Sequence, residues 1–296
     1  MIENTKNKII SKIIFNTLLA VITVICVIPF IVVLSASFSD ESTLISRGYG
    51  VFPRGFSLGA YKIAFANNKQ ILSSYALTII TTAIGATLAT LVTTLAAYPL
   101  SRRTYALKKY FNLYFYFTMI FSGGAVAEYI WISQGLGLRN NVLVLILPML
   151  SSAWYIFLMR TYMSQIPLEL IEAAKIDGAG EYYTLFKIVL PVNSVATATI
   201  FVMFALNYWN QWYSCLMYLD DDRYITLQYY LMRLMNNIDA IMNSQNTQAA
   251  SINISKLPSE TTRMALCVIS AGPMIFLFSF FQKYFVGGIT VGSVKG

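Results

Sequence analysis

The chain has 296 residues, of which 57% are hydrophobic, 15% aromatic and only 11% charged. A soluble domain carries about 25% charged residues, and with a mean hydropathy of +0.61 the composition excludes both an ordinary soluble enzyme and a disordered chain. The net charge of +8 comes from Lys and Arg gathered beside apolar segments, the pattern of membrane ends rather than of a nucleic-acid surface. No histidine is present, which removes Ser-His-Asp and Cys-His catalysis and His-ligated zinc. Cys26, Cys215 and Cys267 lie far apart, each in an apolar run. They are expected to be small buried hydrophobes, not a disulfide framework or a metal site.

A helix needs about 20 mostly apolar residues to cross a bilayer. Six stretches qualify, at 13–38, 71–99, 110–130, 142–160, 192–218 and 264–286. Continuous apolar runs favour helices over the alternating pattern of a barrel, so an all-α integral membrane protein with six transmembrane helices is expected. The first stretch is longer than a signal-peptide core and is read as a retained helix, although "SAS" at 35–37 loosely resembles a cleavage site. Basic clusters at 6–12 and 102–109 put both termini on the cytoplasmic side. The expected outer loops are then 39–70, 131–141 and 219–263. The last holds an amphipathic pattern over 224–236 and begins with Asp220, Asp221 and Asp222, read as a solvated turn in preference to a docking patch.

In the third stretch, Ser122-Gly123-Gly124 permits a kink or close helix packing, and packing is the expected role. Glu128 either faces a cavity or partner or marks the outer interface. The fifth stretch ends Asn207-Tyr208-Trp209-Asn210-Gln211-Trp212-Tyr213. An aromatic belt explains the rings. The amides fit a water-filled path better, since sugar sites combine stacking faces with amides and carboxylates. On an unbroken helix 207, 210 and 211 share one face and 209, 212 and 213 another. Glu128, Asn207, Trp209, Asn210, Gln211, Trp212 and Tyr213 are therefore the candidate substrate-path residues.

Between the fourth and fifth stretches, 161–191 reads as a cytoplasmic helix, a tight turn and a second helix. Ser164 is placed to cap the first helix, with Pro167 and Glu169 in its first turn. Gly178 is placed to end it in a left-handed conformation. Tyr183, Phe186, Lys187 and Leu190 pattern the second helix, and Pro191 is expected to separate it from the fifth span. Such an element either docks a partner or folds against its own bundle.

Glu172-Ala173-Ala174, three residues, Gly178, nine residues, then Ile188-Val189-Leu190-Pro191 resembles the EAA motif of the membrane subunits of binding-protein-dependent ABC importers. Ile176-Asp177-Gly178-Ala179, "FSGG" (121–124), "LGLRNN" (136–141), "LILP" (145–148), "YWNQW" (208–212) and "TLQYYL" (226–231) resemble the carbohydrate branch of that family. The tail 281–296 resembles the subunit type exemplified by the smaller permease of maltose importers. The resemblance covers about 70–296. Relatives often carry Pro-Thr where this chain has Ala127-Glu128, which weakens any transfer of substrate identity.

The resemblance implies a permease subunit of a bacterial plasma-membrane importer for a sugar or oligosaccharide, working by alternating access. It implies a heterodimer with a second permease, two ATPase subunits and an extracytoplasmic binding protein. The EAA helix is a coupling helix in such permeases. Glu172, Ala173, Ala174, Asp177 and Gly178 are carried over as its ATPase-contacting positions, and Lys295 and Gly296 as a tail along the ATPase. No Walker A pattern G-x-x-x-x-G-K-[S/T] occurs. The subunit is therefore expected to be no enzyme and to hold no cofactor, with ATP and Mg bound by the partner ATPase. The implied organisation is 1–70 as tail, first helix and outer loop, 71–286 as permease core, and 287–296 as cytoplasmic tail. A permease for a non-sugar solute and an ion-coupled secondary transporter are the rival readings.

Overall fold

The computed structural model describes residues 3–65, 68–243 and 260–293. Among them the regular elements are all helices, and Ser39 and Phe56 form an isolated antiparallel bridge. In lipid a helix satisfies its own backbone hydrogen bonds, which is why long apolar runs take this form. In chain order the α-helices are α1 (Glu3–Ser37), α2 (Glu41–Arg47), α3 (Gly59–Ala64), α4 (Asn68–Ser101) and α5 (Lys108–Ile120). Then come α6 (Gly124–Gly135, its last turn π-helical), α7 (Ala153–Met163), α8 (Leu168–Ile176) and α9 (Glu181–Val192, π-helical over Thr184–Val189). The rest are α10 (Ser194–Trp209), α11 (Tyr213–Tyr218), α12 (Leu227–Asn243) and α13 (Glu260–Ser293).

Three stretches cross as expected: Ser11–Ser37, Lys69–Ser101 and Glu260–Gln282 are long and apolar enough to span a bilayer. The other three are broken, so the count reaches six when each bent pair is one span. The third bends by 113° between α5 and α6. Gly124 there has φ 80 and open space around its Cα, so it serves the kink, and no other helix packs against it among the described residues. The fourth begins as two 3-10 turns, Val142–Leu145 and Leu147–Met149. Pro148 cannot supply an α-helical donor, and α7 follows at a 47° bend. The fifth bends by 87° between α9 and α10. The corner is at Asn193, not at Pro191, which lies inside α9. The wider π-helical turn just upstream accommodates a proline that lacks a donor and crowds the carbonyl four residues back.

Two compact units are described in turn. In the unit of residues 1–68 and 233–272, α1 ends where Ser37 Oγ and Ser39 Oγ donate to the Leu34 and Ser35 carbonyls. Asp40 accepts from the Thr43 N–H and caps α2. The Glu41 carboxylate accepts from the N–H groups of Glu260 and Thr261, both at 2.9 Å, and so satisfies the first donors of α13.

The unit of residues 69–232 and 273–296 holds a core drawn from α4, α7, α9 and α10. Ala86, Ala89, Ala97 and Leu100 meet Ile156, Met159, Leu185, Val189, Ile200 and Phe204. Small residues let helices approach closely in a membrane bundle. A Cβ on Gly85 would lie 2.5 Å from the Tyr208 ring. Buried Tyr208 in turn donates to the Ile146 carbonyl at 2.9 Å. A smaller cluster joins Ile132, Leu138, Val144 and Leu145 to Cys215, Tyr218 and Leu219.

Cys215 is buried as expected, whereas Cys26 and Cys267 are exposed, because their apolar helices present those faces outward. The amphipathic element expected over 224–236 is α12, which starts at Leu227 after a 3-10 turn at Asp222–Tyr224. In the acidic run Asp220 and Asp222 are exposed and Asp221 is half-buried. Asp220 pairs with Arg139 at 3.0 Å and Asp221 with Arg223 at 2.6 Å. The hydrogen bonds from Arg223 hold the Asp221 carboxyl below the ordinary carboxylate range.

Candidate functional site

The loop between α7 and α9 is built from short-range chemistry. Ser164 has helical dihedrals, and its Oγ donates back to the Arg160 carbonyl at 2.8 Å. It therefore closes α7 and does not cap α8. The N-cap of α8 is Pro167, with φ −54 and ψ 133. Its fixed φ starts the helix without a side-chain cap.

Helix α8 buries Ile171 and Ala174, one turn apart, and leaves Leu168, Leu170, Glu172, Ala173 and Ile176 open. Ile176 is 86% exposed, a large apolar side chain on a short helix with nothing of this chain over it. The two alanines thus divide: Ala173 belongs to the outward face and Ala174 to the inward one.

The helix ends in a Schellman turn. Asp177 is the C-cap and Gly178 takes φ 77. The Gly178 N–H bonds to the Lys175 carbonyl at 3.1 Å, and the Ala179 N–H to the Ala174 carbonyl at 2.9 Å. Glycine is the residue that takes this left-handed position without a steric penalty.

Glu181, the first residue of α9, ties this turn down. Its Oε1 lies 2.9 Å from Lys175 Nζ, on α8. Its Oε2 accepts from the Tyr98 hydroxyl at 2.7 Å, on α4. Arg102 Nη2 donates to the same Tyr98 oxygen at 2.6 Å, and its guanidinium stacks 4.4 Å over the Tyr98 ring. Tyr98, Arg102 and Glu181 were not among the sequence candidates. The available signal for Glu181 was an acidic residue at a helix start. Nothing in the sequence pairs it with a tyrosine 83 positions earlier.

The seven-residue segment Asn207–Tyr213 is not one helix. α10 ends at Trp209, Asn210 is its C-cap, and α11 restarts at Tyr213. The faces expected from helical periodicity therefore do not continue through it. Trp209 packs inward against Tyr75, ring centroids 6.5 Å apart. Gln211 is 6% exposed, donates to Ser214 Oγ at 2.8 Å, and gives its carbonyl to Thr226 Oγ1 at 2.7 Å. Asn207, Asn210, Trp212 and Tyr213 are exposed. Asn207 Nδ2 donates to the Tyr155 hydroxyl at 3.1 Å, and Asn210 Oδ1 accepts from Gln228 at 3.5 Å. The Trp212 and Tyr213 rings meet edge to face at 5.8 Å. Glu128 is exposed on α6, a separate element. Lys295 and Gly296 lie outside the described residues. No group of three or more acidic or cysteine side chains that could hold a metal ion occurs among the described residues.

Up to six apolar spans, three of them bent, with the short helix α8 set between the fourth and fifth, define a multi-pass helical membrane protein. Residues 91–291 match the family described as binding-protein-dependent transport system inner membrane component. The chain is 33% identical over 291 residues to the polygalacturonan/rhamnogalacturonan transport system permease protein YtcP of Bacillus subtilis, covering 98% of this chain and 100% of that one. It is 28% identical to the melibiose/raffinose/stachyose import permease protein MelC of Bacillus subtilis, covering 96% of each. Among solved structures, a bacterial ABC transporter involved in the import of the acidic polysaccharide alginate superposes with a TM-score of 0.78 at 28% identity, covering 93% of this chain and 96% of that one. The chain belongs to the family of binding-protein-dependent transport system inner membrane components, the permease subunits of ABC importers.

Proposed function

We propose that this chain is one permease subunit of an ATP-driven importer for a sugar or oligosaccharide, and that α8 is the helix through which a separate ATPase drives it. The observation that carries this is α8 itself. A short helix with an open face of Leu168, Glu172, Ala173 and Ile176, closed by a Schellman turn at Gly178, is a rigid protrusion suited to a groove in a partner. Ala174 and Asp177 support that face, and Lys295 and Gly296 are assigned to the same partner. Basic clusters at 6–12 and 102–109 support a cytoplasmic position for both termini and for α8.

A second permease supplies the other half of the path, two ATPase subunits bind ATP and Mg, and an extracytoplasmic binding protein delivers the solute. Closure of the ATPase pair moves α8 and switches the path between its two openings. A carbohydrate cargo is supported by the relatives whose names specify polygalacturonan or rhamnogalacturonan, and melibiose, raffinose or stachyose. Within the path, Asn207, Asn210, Trp212, Tyr213 and Glu128 offer amides, ring faces and a carboxylate to sugar hydroxyls. Trp209 and Gln211 hold the broken segment in shape.

Purification of the tagged chain from native membranes tests the assembly: a second permease and an ATPase should accompany it. In that complex Glu172→Lys should leave ATP hydrolysis running while uptake falls roughly tenfold or more, because a reversed charge at a docking face costs several kcal/mol. Full transport by Glu172→Lys would remove that residue from coupling. Uptake by the chain alone, driven by an ion gradient without ATP, would overturn the importer reading.

A further inference from the structure

We propose that Glu181 is a positioning residue that fastens α8 to the inner end of α4, so that displacement of α8 moves α4 with it. The inference rests on the reading of α8 as the coupling helix and adds the element to which its motion is delivered. One carboxylate joins three helices: Oε1 bonds Lys175 on α8, Oε2 bonds Tyr98 on α4, and the backbone belongs to α9. On the far side, Tyr98 is 7% exposed and fixed between Glu181 and Arg102. The run Lys175–Glu181–Tyr98–Arg102 therefore alternates cation, anion, phenol and cation without a gap.

Stability alone does not account for this arrangement. The ion pair is half open, with side-chain exposures of 52% and 56%, and exposed pairs add little to folding. What the carboxylate supplies is direction. Without it, α8 keeps its own Schellman turn and the burial of Ile171 and Ala174. Beside these, α8 packs against the Thr184–Val189 turn of α9; a link to α4 is what the carboxylate adds. The phenol–carboxylate bond gives that link a specific partner, near the end of a 34-residue helix.

The test is a double-variant cycle on the reconstituted complex of both permeases, ATPase and binding protein, reading solute imported per ATP hydrolysed. Tyr98→Phe removes only the hydroxyl, and Glu181→Gln keeps the shape while removing the charge. Each should lower the imported-per-ATP ratio by about fivefold or more, the lower end of typical coupling between sites. The double variant should be little worse than either single one, because both weaken the same charge-assisted phenol–carboxylate contact. Complex yield and melting temperature should stay close to the parent. Unchanged ratios in both single variants, or additive losses, would overturn the link. Glu172→Lys serves as the control in the same assay. If it uncouples while Tyr98→Phe and Glu181→Gln do not, only the link to α4 fails. If it too leaves the ratio unchanged, the coupling role of α8 fails. A fall in ratio that tracks a fall in melting temperature across the variants would reduce Glu181 to an ordinary structural tie and overturn the proposal.

Discussion

The turn after α8 and the break after α10 both interrupt a helix, and they do so by opposite means. The first is assembled within six residues: Gly178 turns left-handed, and two backbone bonds return to Lys175 and Ala174. The second has no glycine and no proline at Asn210-Gln211-Trp212. It is closed from a distance, by Thr226 on the Gln211 carbonyl and, one residue on, by the Leu227 N–H on Thr78 Oγ1 at 2.8 Å. Just before the break, Tyr208 is clamped between Gly85 and the Ile146 carbonyl. A turn made locally keeps its shape when its surroundings move. A break made by distant partners holds only while those partners stay together.

The largest expected effect tests the distant clamp. Gly85→Leu drives a side chain into the fully buried Tyr208 ring, which has no room to withdraw. It should cost about 3 kcal/mol or more, read as a lower melting temperature of the purified protein and loss of assembled complex. Recovery of parent stability without compensation would show that α4 and α10 are not tightly apposed there. Thr226→Val comes next. It keeps the shape but leaves the Gln211 carbonyl without its hydroxyl donor, a loss of about 2 kcal/mol. Hydrogen exchange should rise over 209–227 and not over 168–180. Spread of the change into the latter segment would break the distinction between the two sites. The smallest is Gly178→Ala. No atom lies within 4 Å of the added methyl, so the cost is backbone strain alone, about 1 kcal/mol. Here exchange should rise over 168–180 and stay unchanged over 209–227.

The same contrast explains what could be read from the chain before its structure. Gly178 was legible because a single residue type serves a left-handed helix end. The three unbroken spans were legible from apolar length. Ser122-Gly123-Gly124 was ambiguous, since glycine serves a kink and a close contact equally and the sequence does not say what lies opposite. The cap assigned to Ser164 failed because a serine can donate backward to Arg160 as readily as it can accept forward, and Pro167 had already set the helix start. The faces drawn over 207–213 failed because periodicity assumes an unbroken helix, while the break there is made by Thr226, outside the window. The bond between Tyr98 and Glu181 left no local trace at all.

The corner at Asn193 gives the molecule a mechanical character. α9 and α10 meet at 87°, and the core cluster grips both arms, through Leu185 and Val189 on one and Ile200, Phe204 and Tyr208 on the other. Two stiff arms at a right angle form a bell crank. Pushed along its first arm, such a crank would swing its second sideways, and the far tip of that second arm is Trp209, where α10 ends.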